Sequence, residues 1–434
     1  MSELPRGWAQ ATLEGIVSPQ TQTVRAAESD MPYLGLDGVE ANSTRVLSYA
    51  DSEIIRGSGK PFSRGYTLYA RLRPYLNKVC APEVDGVAST EFIVFPSTTA
   101  LAPRFLLYLL NNPQFVEFAN SHAEGIERPR LSWQQMSTFA FGLPPHAEQE
   151  RIVAAIEEHL SRLEAAKRLL TTANTRLQTI RRAALTKAIP PSRWPAVRLA
   201  DVGNGSRHAL AIGPFGSNLK VSDYRDEGVP LVFVRNIRLQ RFDGADTRYV
   251  SVEKARALAA HRIQGGDVLI TKMGDPPGDS TVYPLGAPDA VITADCVKIS
   301  VGASFDPYFV ALAIEAPEAH HQVLAATKGV AQKKVSLGRF KQVTIPAPPL
   351  EEQRRIVSEL DFLFSAITNQ QGALEQVQHR MAALRHSILV RAFRGELVAQ
   401  DPNDEPASAL LERIAVDRAA IPEPKRTRRA KAPA

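Results

Sequence analysis

Two long stretches of the chain, His146 to about Ala188 and Leu350 to about Arg394, repeat apolar residues at alternating steps of three and four. In the first, Val153 and Leu160 alternate with Ile156, Leu163, Leu170, Leu177 and Ala184; in the second, Val357 and Phe364 alternate with Leu360, Ile367, Leu374, Met381 and Ile388. This spacing is the a/d seam of a coiled coil. The first stretch holds no Gly or Pro and the second only Gly372. Each predicts one helix of about 43 residues, roughly 65 Å long at 1.5 Å per residue. Gly395 is placed to stop the second helix, since glycine accepts the left-handed conformation common just past a C-terminus. Later a-type positions turn polar, at Lys167 and Asn174 and again at Gln371 and Gln378. Such residues either fix register and orientation or leave a solvated seam.

Outside these stretches the pattern changes to short apolar runs between Gly, Pro and Ser turns. "TEFIVFP" (Thr90–Pro96), "VPLVFV" (Val229–Val234) and "DVLITKM" (Asp267–Met273) read as strands. The two kinds of pattern alternate, and the alternation is a repeat. "PPHAEQERIV" from Pro144 returns as "PPLEEQRRIV" from Pro348, 204 residues later, and the offset holds without a gap for about forty-five residues. "GIERPRLS" (Gly125–Ser132) answers "GVAQKKVS" (Gly329–Ser336) at the same offset, and Trp8 answers Trp194 near the two starts. Between these anchors the globular halves share little sequence. A repeated frame with divergent contents suggests two different readers.

At 434 residues, with 44% hydrophobic and 23% charged residues, the chain has the composition of a soluble protein of two or three domains. No run of about 18 apolar residues predicts a membrane span. The start "MSELPRGW" lacks the regions of a secretory signal. Cys80 and Cys296, one in each half, predict buried reduced thiols of a cytoplasmic protein. Of the net charge of +6, the segment Pro422–Ala434 supplies +4, so the body is nearly balanced. A nucleic-acid surface must then be a local basic patch. The tail's Pro, Ala and basic composition predicts disorder.

At the repeated "PP…EQ.RIV" helix starts the chain resembles the DNA-specificity subunit of type I restriction–modification systems. "GPFGSNLKVSDYRDEGVPLVFVRNI" (Gly213–Ile237) and "GDVLITKMGDP" (Gly266–Pro276) resemble one common type of target recognition domain in that family. "RLRPYLNKV" with "GVASTEFIVF" resembles another, and "RAFRGELVAQDPNDEPASALLERI" (Arg391–Ile414) resembles the family's C-terminal end. The resemblance covers residues 3 to about 418. It implies a mixed α/β (α+β) fold, with two target recognition domains in tandem separated by two long antiparallel coiled-coil helices. The expected boundaries are a first recognition domain over 1–142, a first spacer helix over 143–189 and a second recognition domain over 190–349. A second spacer helix over 350–395, a C-terminal segment over 396–421 and the basic tail over 422–434 complete the division.

The family further implies that each domain reads one half of a bipartite site in double-stranded DNA. The helices set the spacing and bind two modification subunits, which methylate adenine, and restriction subunits join that core. By the same resemblance this chain has no chemistry or cofactor of its own. S-adenosylmethionine, ATP and Mg2+ are expected only in the partner subunits.

The alternative is a single-chain methyltransferase or nuclease. "GDPPGD" (Gly274–Asp279) is similar to the Asp-Pro-Pro-aromatic loop of amino-methyltransferases, but Gly278 stands where the base-stacking aromatic residue belongs. In "PDAVITADCVK" (Pro288–Lys298), Asp295 and Lys298 lie three apart, so a strand would send them to opposite faces, unlike a metal-nuclease pair. "GSGKP" (Gly57–Pro61) lacks the remaining residues of a phosphate loop. The nine histidines show no metal-ligand spacing.

DNA readers combine cationic contacts to phosphate with Arg, Lys, Asn or Gln contacts to base edges. The candidate contacts in the first half are Arg71, Arg73, Asn77 and Lys78, around Tyr75. In the second half they are Ser217, Asn218 and Lys220; Arg235, Asn236 and Arg238, near Gln240 and Arg241; Lys272; and Lys333 with Lys334, which answer Pro129 and Arg130 in the repeat. Residues of these types also form solvated strand edges and structural ion pairs.

Overall fold

The computed structural model describes residues 4–51, 55, 57–238, 241–274, 277–328 and 334–420. The basic tail 422–434, Lys333, Gln240, and Asp275 and Pro276 of "GDPPGD" lie outside them, as does the Arg238 side chain.

The two long helices run His146–Ala188 and Leu350–Ala392, 43 residues each. The compact units cut across the linear order. One comprises Met1–Leu169 with Gln376–Ala434, and the other Leu170–Glu375. Each unit therefore owns half of each long helix.

The sequence repeat stops short of what the fold repeats. In the first unit Thr67–Ala70 pairs antiparallel with Val79–Cys80 on one side and Phe92–Phe95 on the other. In the second unit Val268–Thr271 pairs the same way with Ser280–Val282 and Cys296–Ile299, and Leu210–Ile212 extends the sheet. Each unit also has a mixed sheet. Gly86–Ser89 lies antiparallel to Ser58–Phe62 and parallel to Tyr33–Leu34; Ala290–Ile292 lies antiparallel to Arg262–Ile263 and parallel to Val229–Val232. A helix pair follows each sheet region, Phe105–Asn111 with Pro113–His122 and Pro307–Glu315 with Pro317–Ala325. Two-stranded ribbons, Ala9–Thr12 with Ala140–Leu143 and Ala196–Arg198 with Thr344–Pro346, lead to the long helices. The halves differ in sequence yet share strand pairing, because alternation of buried positions specifies a sheet without specifying which apolar residue fills it.

The repeated "EQ" has a structural explanation. Gln149 and Gln353, both fully buried in the first turns of the long helices, satisfy backbone that would otherwise be stranded. Gln149 accepts from Ala102 N at 3.0 Å and donates to Pro144 O at 3.0 Å. Gln353 accepts from Asp306 N at 2.8 Å and donates to Ser304 O at 3.0 Å and Pro348 O at 2.8 Å. Each glutamine thus ties a helix start to the loop before the preceding helix pair, at a point where the prolines bring no N–H of their own.

Within the first unit, Ile152, Val153, Ile156 and Leu160 share one core with Ile388, Leu389 and Phe393. The C-terminal helix Ala407–Ala420 closes the same core through Ala407, Leu410 and Ile414. Asp404 holds Arg151 at 2.6 Å, and Gly395, at φ +73°, turns the chain out of the second long helix. Within the second unit, Leu185 and Ile189 join Ile356, Leu360, Phe364 and Ile367. There the helices run antiparallel: Asn174 meets Gln371 while Arg193, past the end of the first helix, meets Glu352 near the start of the second. The polar a-type residues Asn174 and Gln371 hydrogen-bond each other at 3.2 Å on a solvated stretch of the seam. Cys80 and Cys296 are free and buried, and burial pushes both thiols up to about 12.

Candidate nucleic-acid interface

In each unit the strand at the centre of the antiparallel sheet runs out into a basic residue held beside a carboxylate. In the first unit Arg71 follows Thr67–Ala70, and its N–H donates to Glu91 O at 2.9 Å. Glu91 stands between two guanidinium groups: Arg71 Nε lies 3.5 Å from it, and Arg130 donates from Nη2 at 2.8 Å and from Nε at 3.1 Å. The second unit repeats the arrangement with other side chains. Lys272 follows Val268–Thr271, its N–H donates to Asp295 O at 2.8 Å, and Lys334 Nζ lies 3.8 Å from Asp295 Oδ1. The backbone closes identically, with Leu131 N donating to Arg71 O at 2.9 Å and Val335 N to Lys272 O at 3.1 Å. Glu91 and Asp295 are 204 positions apart, as are Arg130 and Lys334.

This arrangement presents cations in a fixed geometry. The hydrogen bonds from Arg130, with the charges of Arg71 and Arg128 adding, hold the Glu91 carboxyl below the usual carboxylate range against the opposing effect of burial. Lys60, which donates to Phe92 O at 2.8 Å, is pushed down first by burial and then by Arg71. Burial likewise lowers Lys272, with Asp295 opposing and Lys334 adding to the shift. A guanidinium or ammonium steadied by one carboxylate loses less side-chain freedom on meeting a phosphate or base edge than a free one.

The candidate contacts divide by exposure. Arg73, Ser217, Asn218, Lys220, Arg235 and Lys334 are exposed, and Arg71 and Lys78 are half-buried. Arg73 stands at a left-handed φ of +52° beside exposed Tyr75. Arg235 stacks 4.1 Å over the Phe233 ring while donating to Asp246 O at 2.8 Å. Lys78 is committed to Leu36 O at 2.8 Å. Three others are turned inward. Asn236 is buried because its amide builds its own loop, accepting from Phe233 N at 2.8 Å and donating to Asp243 O and Ala245 O. Asn77 is buried at a left-handed turn, and Lys272 is buried with its Nζ on Ala294 O at 3.1 Å. The backbone at Arg238 forms a short hairpin with Arg241.

Three participants escape a search for basic clusters. Glu91 and Asp295 organise the sites although neither bears the expected charge; their shared 204-residue offset is the signal that could have found them. Phe215 is the third. It is 61% exposed at the tip of a loop, with Lys272 Nζ 4.9 Å from its ring centroid. The loop's root is fixed at Gly213, where a Cβ would meet Thr293 O at 2.1 Å.

The motifs considered for chemistry have structural work. Gly278 N and Asp279 N both donate to Thr271 Oγ1 at 3.0 Å, which makes a turn of the described part of "GDPPGD". Lys298 donates to Arg262 O while Asp295 faces Lys334. Among the described residues no group of three or more His, Cys, Asp or Glu could hold a metal, and no helix is long and apolar enough to cross a membrane.

Two α/β units of matching topology, each with the same cation–carboxylate arrangement and joined by a pair of long helices, define a tandem recognition scaffold. Residues 262–379 match the family model described as the type I restriction modification DNA specificity domain. The specificity subunit of the type I restriction enzyme EcoBI from Escherichia coli is 24% identical over 354 residues, covering 73% of this chain and 72% of that one. The EcoKI specificity subunit from Escherichia coli K12 is 25% identical over 313 residues, 64% of each chain. A solved structure described as the basis of complex assembly and conformational transition of the type I R-M system shares the fold. Its TM-score is 0.68 at 22% identity, covering 91% of this chain and 100% of that one. Over most of its length the chain is thus similar to type I restriction enzyme specificity subunits.

Proposed function

We propose that this subunit reads a bipartite site in double-stranded DNA, one half-site per unit, through the surface around Arg71, Arg73 and Arg130 and its counterpart around Phe215, Lys220, Arg235 and Lys334. It acts in the cytoplasm as the non-catalytic core on which two modification subunits, and then restriction subunits, assemble. S-adenosylmethionine, ATP and Mg2+ belong to those partners. One observation carries the reading: carboxylates 204 positions apart, Glu91 and Asp295, each pair with cations 204 positions apart, Arg130 and Lys334, and each accepts at its backbone carbonyl from the residue that ends the central strand, Arg71 or Lys272. A repeated anchor that engages phosphate, surrounded by divergent loops, suits a protein that docks twice in the same way and reads two different sequences.

The test exchanges residues 190–349 for those of a related subunit and maps the methylated motif of the assembled complex. One half of the motif should change and the other should stay. A change in both halves would overturn the two-reader assignment. Methylation of duplex DNA by this chain without a modification subunit would overturn the non-catalytic one.

A further inference from the structure

Among the described residues no large apolar side chain is more exposed than Ile126, which stands fully in solvent at the tip of loop 124–130 in the first unit. The loop is closed at its root by two backbone hydrogen bonds, Glu124 N–H to Arg130 O at 3.0 Å and Arg130 N–H to Glu124 O at 2.9 Å. Gly125, at φ +106°, makes the turn, and a Cβ there would meet Arg128 O at 3.1 Å. The returning arm lies along the strand end that carries the site's cations. Arg73 N–H donates to Pro129 O at 2.7 Å and Leu131 N–H to Arg71 O at 2.9 Å, while the Arg130 side chain is clamped to Glu91. The root is therefore fixed, and Ile126, Glu127 and Arg128 project from it, all exposed.

A single exposed apolar residue is ordinary on a protein surface. Two observations set Ile126 apart. Its surroundings are cationic, with Arg128 and Arg130 on its own loop and Arg73 on the adjoining segment; of the loop's two carboxylates, Glu124 accepts from Gln135 Nε2 at 2.7 Å. The second observation is in the sequence repeat. Gly125-Ile126 returns 204 residues later as Gly329-Val330, whereas Glu127-Arg128 is answered by Ala331-Gln332. An aliphatic residue after the turn glycine is shared while the polar pair beside it differs. A mechanical element next to sequence-reading residues has that pattern.

We propose that Ile126 is a wedge that enters a base step of the duplex, an inference that rests on the first unit being a DNA reader. The cations around the loop grip phosphates and hold the duplex against the tip. The aliphatic side chain exchanges water for the faces of two base pairs that part around it. Because the root of the loop is fixed, the deformation falls on the DNA, which kinks at that step. Flexible pyrimidine–purine steps yield most readily, so the wedge adds a sequence preference at a position where no base edge is hydrogen-bonded.

The test uses the chain assembled with its modification subunits and bound to a duplex that carries its methylated motif. Energy transfer between dyes at the two duplex ends measures the bend. Ile126→Ala should straighten the duplex and weaken binding about tenfold, with the slope of log K against log[salt] unchanged because isoleucine releases no counterion. Ile126→Leu should keep both the bend and the affinity. A one-base mismatch, moved through the half-site and its flanks, should restore the affinity of Ile126→Ala at one step, since a mismatched step opens readily. A straight duplex in the wild-type complex, unchanged bend and affinity in Ile126→Ala, or rescue at no step would each overturn the wedge and leave half-site reading intact. Failure of Ile126→Ala to assemble with the modification subunits would also overturn it, by making Ile126 a protein contact. A wild-type complex that binds no specific duplex would instead overturn the half-site reading, and the wedge with it.

Discussion

At Glu91 a single carboxylate keeps two guanidinium groups apart and in place, and its titration links stability to pH. Its folded pKa lies below that of an unfolded glutamate, chiefly through the Arg130 hydrogen bonds. The stabilisation is therefore fully present above the unfolded pKa and is lost as pH falls through the lowered folded value. Glu91→Gln should remove this acid-dependent component from the unfolding curve. It should also release Arg71 and Arg130, raising affinity for non-specific duplex at low salt and steepening log K against log[salt] by about one unit per cation engaged. Salt-titrated binding checks this, and an unchanged slope would place the pair away from DNA. Phe215→Ala should weaken binding to the second half-site about tenfold with no change in that slope, since an aromatic contact releases no counterion. A changed slope with unchanged half-site preference would make Phe215 a support for Lys272 and nothing more.

The helices are where the sequence is most legible, because a seam sustained over 43 residues has no competing explanation at strand length. The strands were legible only in part. "FIVF" and "VLIT" stand out as apolar runs, whereas pairs such as Tyr33–Leu34 exist only because Gly86–Ser89 lies beside them. Half of the candidate site was legible in the same sense. Exposed Arg73, Lys220 and Arg235 follow from charge and turn chemistry, but nothing local distinguishes Asn236, which is consumed by its own loop, from an asparagine free to read a base. The "EQ" of the helix starts is legible as a motif, but its chemistry lies in partners far along the chain, Ser304 and Asp306 for Gln353, which no local pattern gives. Gln353→Leu fills the same space but strands Asp306 N–H and the carbonyls of Ser304 and Pro348. At about 1–3 kcal/mol for each buried group left unpaired, it should lower the denaturation midpoint markedly while the slope against denaturant holds. A shift below about 0.5 kcal/mol would mean that these groups find water instead. Arg181→Ala, which removes the buried two-point ion pair to Glu315, should cost about 3–5 kcal/mol in the same experiment.

Both long helices pass from one compact unit into the other without interruption, so any change in their length must be felt by whatever the two units hold in common. Duplicating Thr171–Asn174 alone would not be a clean change. Asn174 is hydrogen-bonded to Gln371 on the antiparallel helix, and one lengthened strand of the pair would slip against the other. Duplicating Thr171–Asn174 and Gly372–Glu375 together keeps the two helices matched. Four residues add about 6 Å at 1.5 Å each and overshoot one turn by about 40°, which a seam absorbs as a stutter. Along DNA the same 6 Å is close to two base-pair steps of about 3.4 Å. Each added pair also turns the second half-site by roughly 34°, for 10–10.5 pairs per turn, so larger shifts lose groove phase. The expected outcome is a spacer longer by one or two base pairs between two unaltered half-sites, read by mapping the methylated motif of the assembled variant. An unchanged spacer would show that the helices do not set the distance. Altered bases within a half-site would show that the units are not independent readers, because lengthening their connection would then have changed what each one recognises.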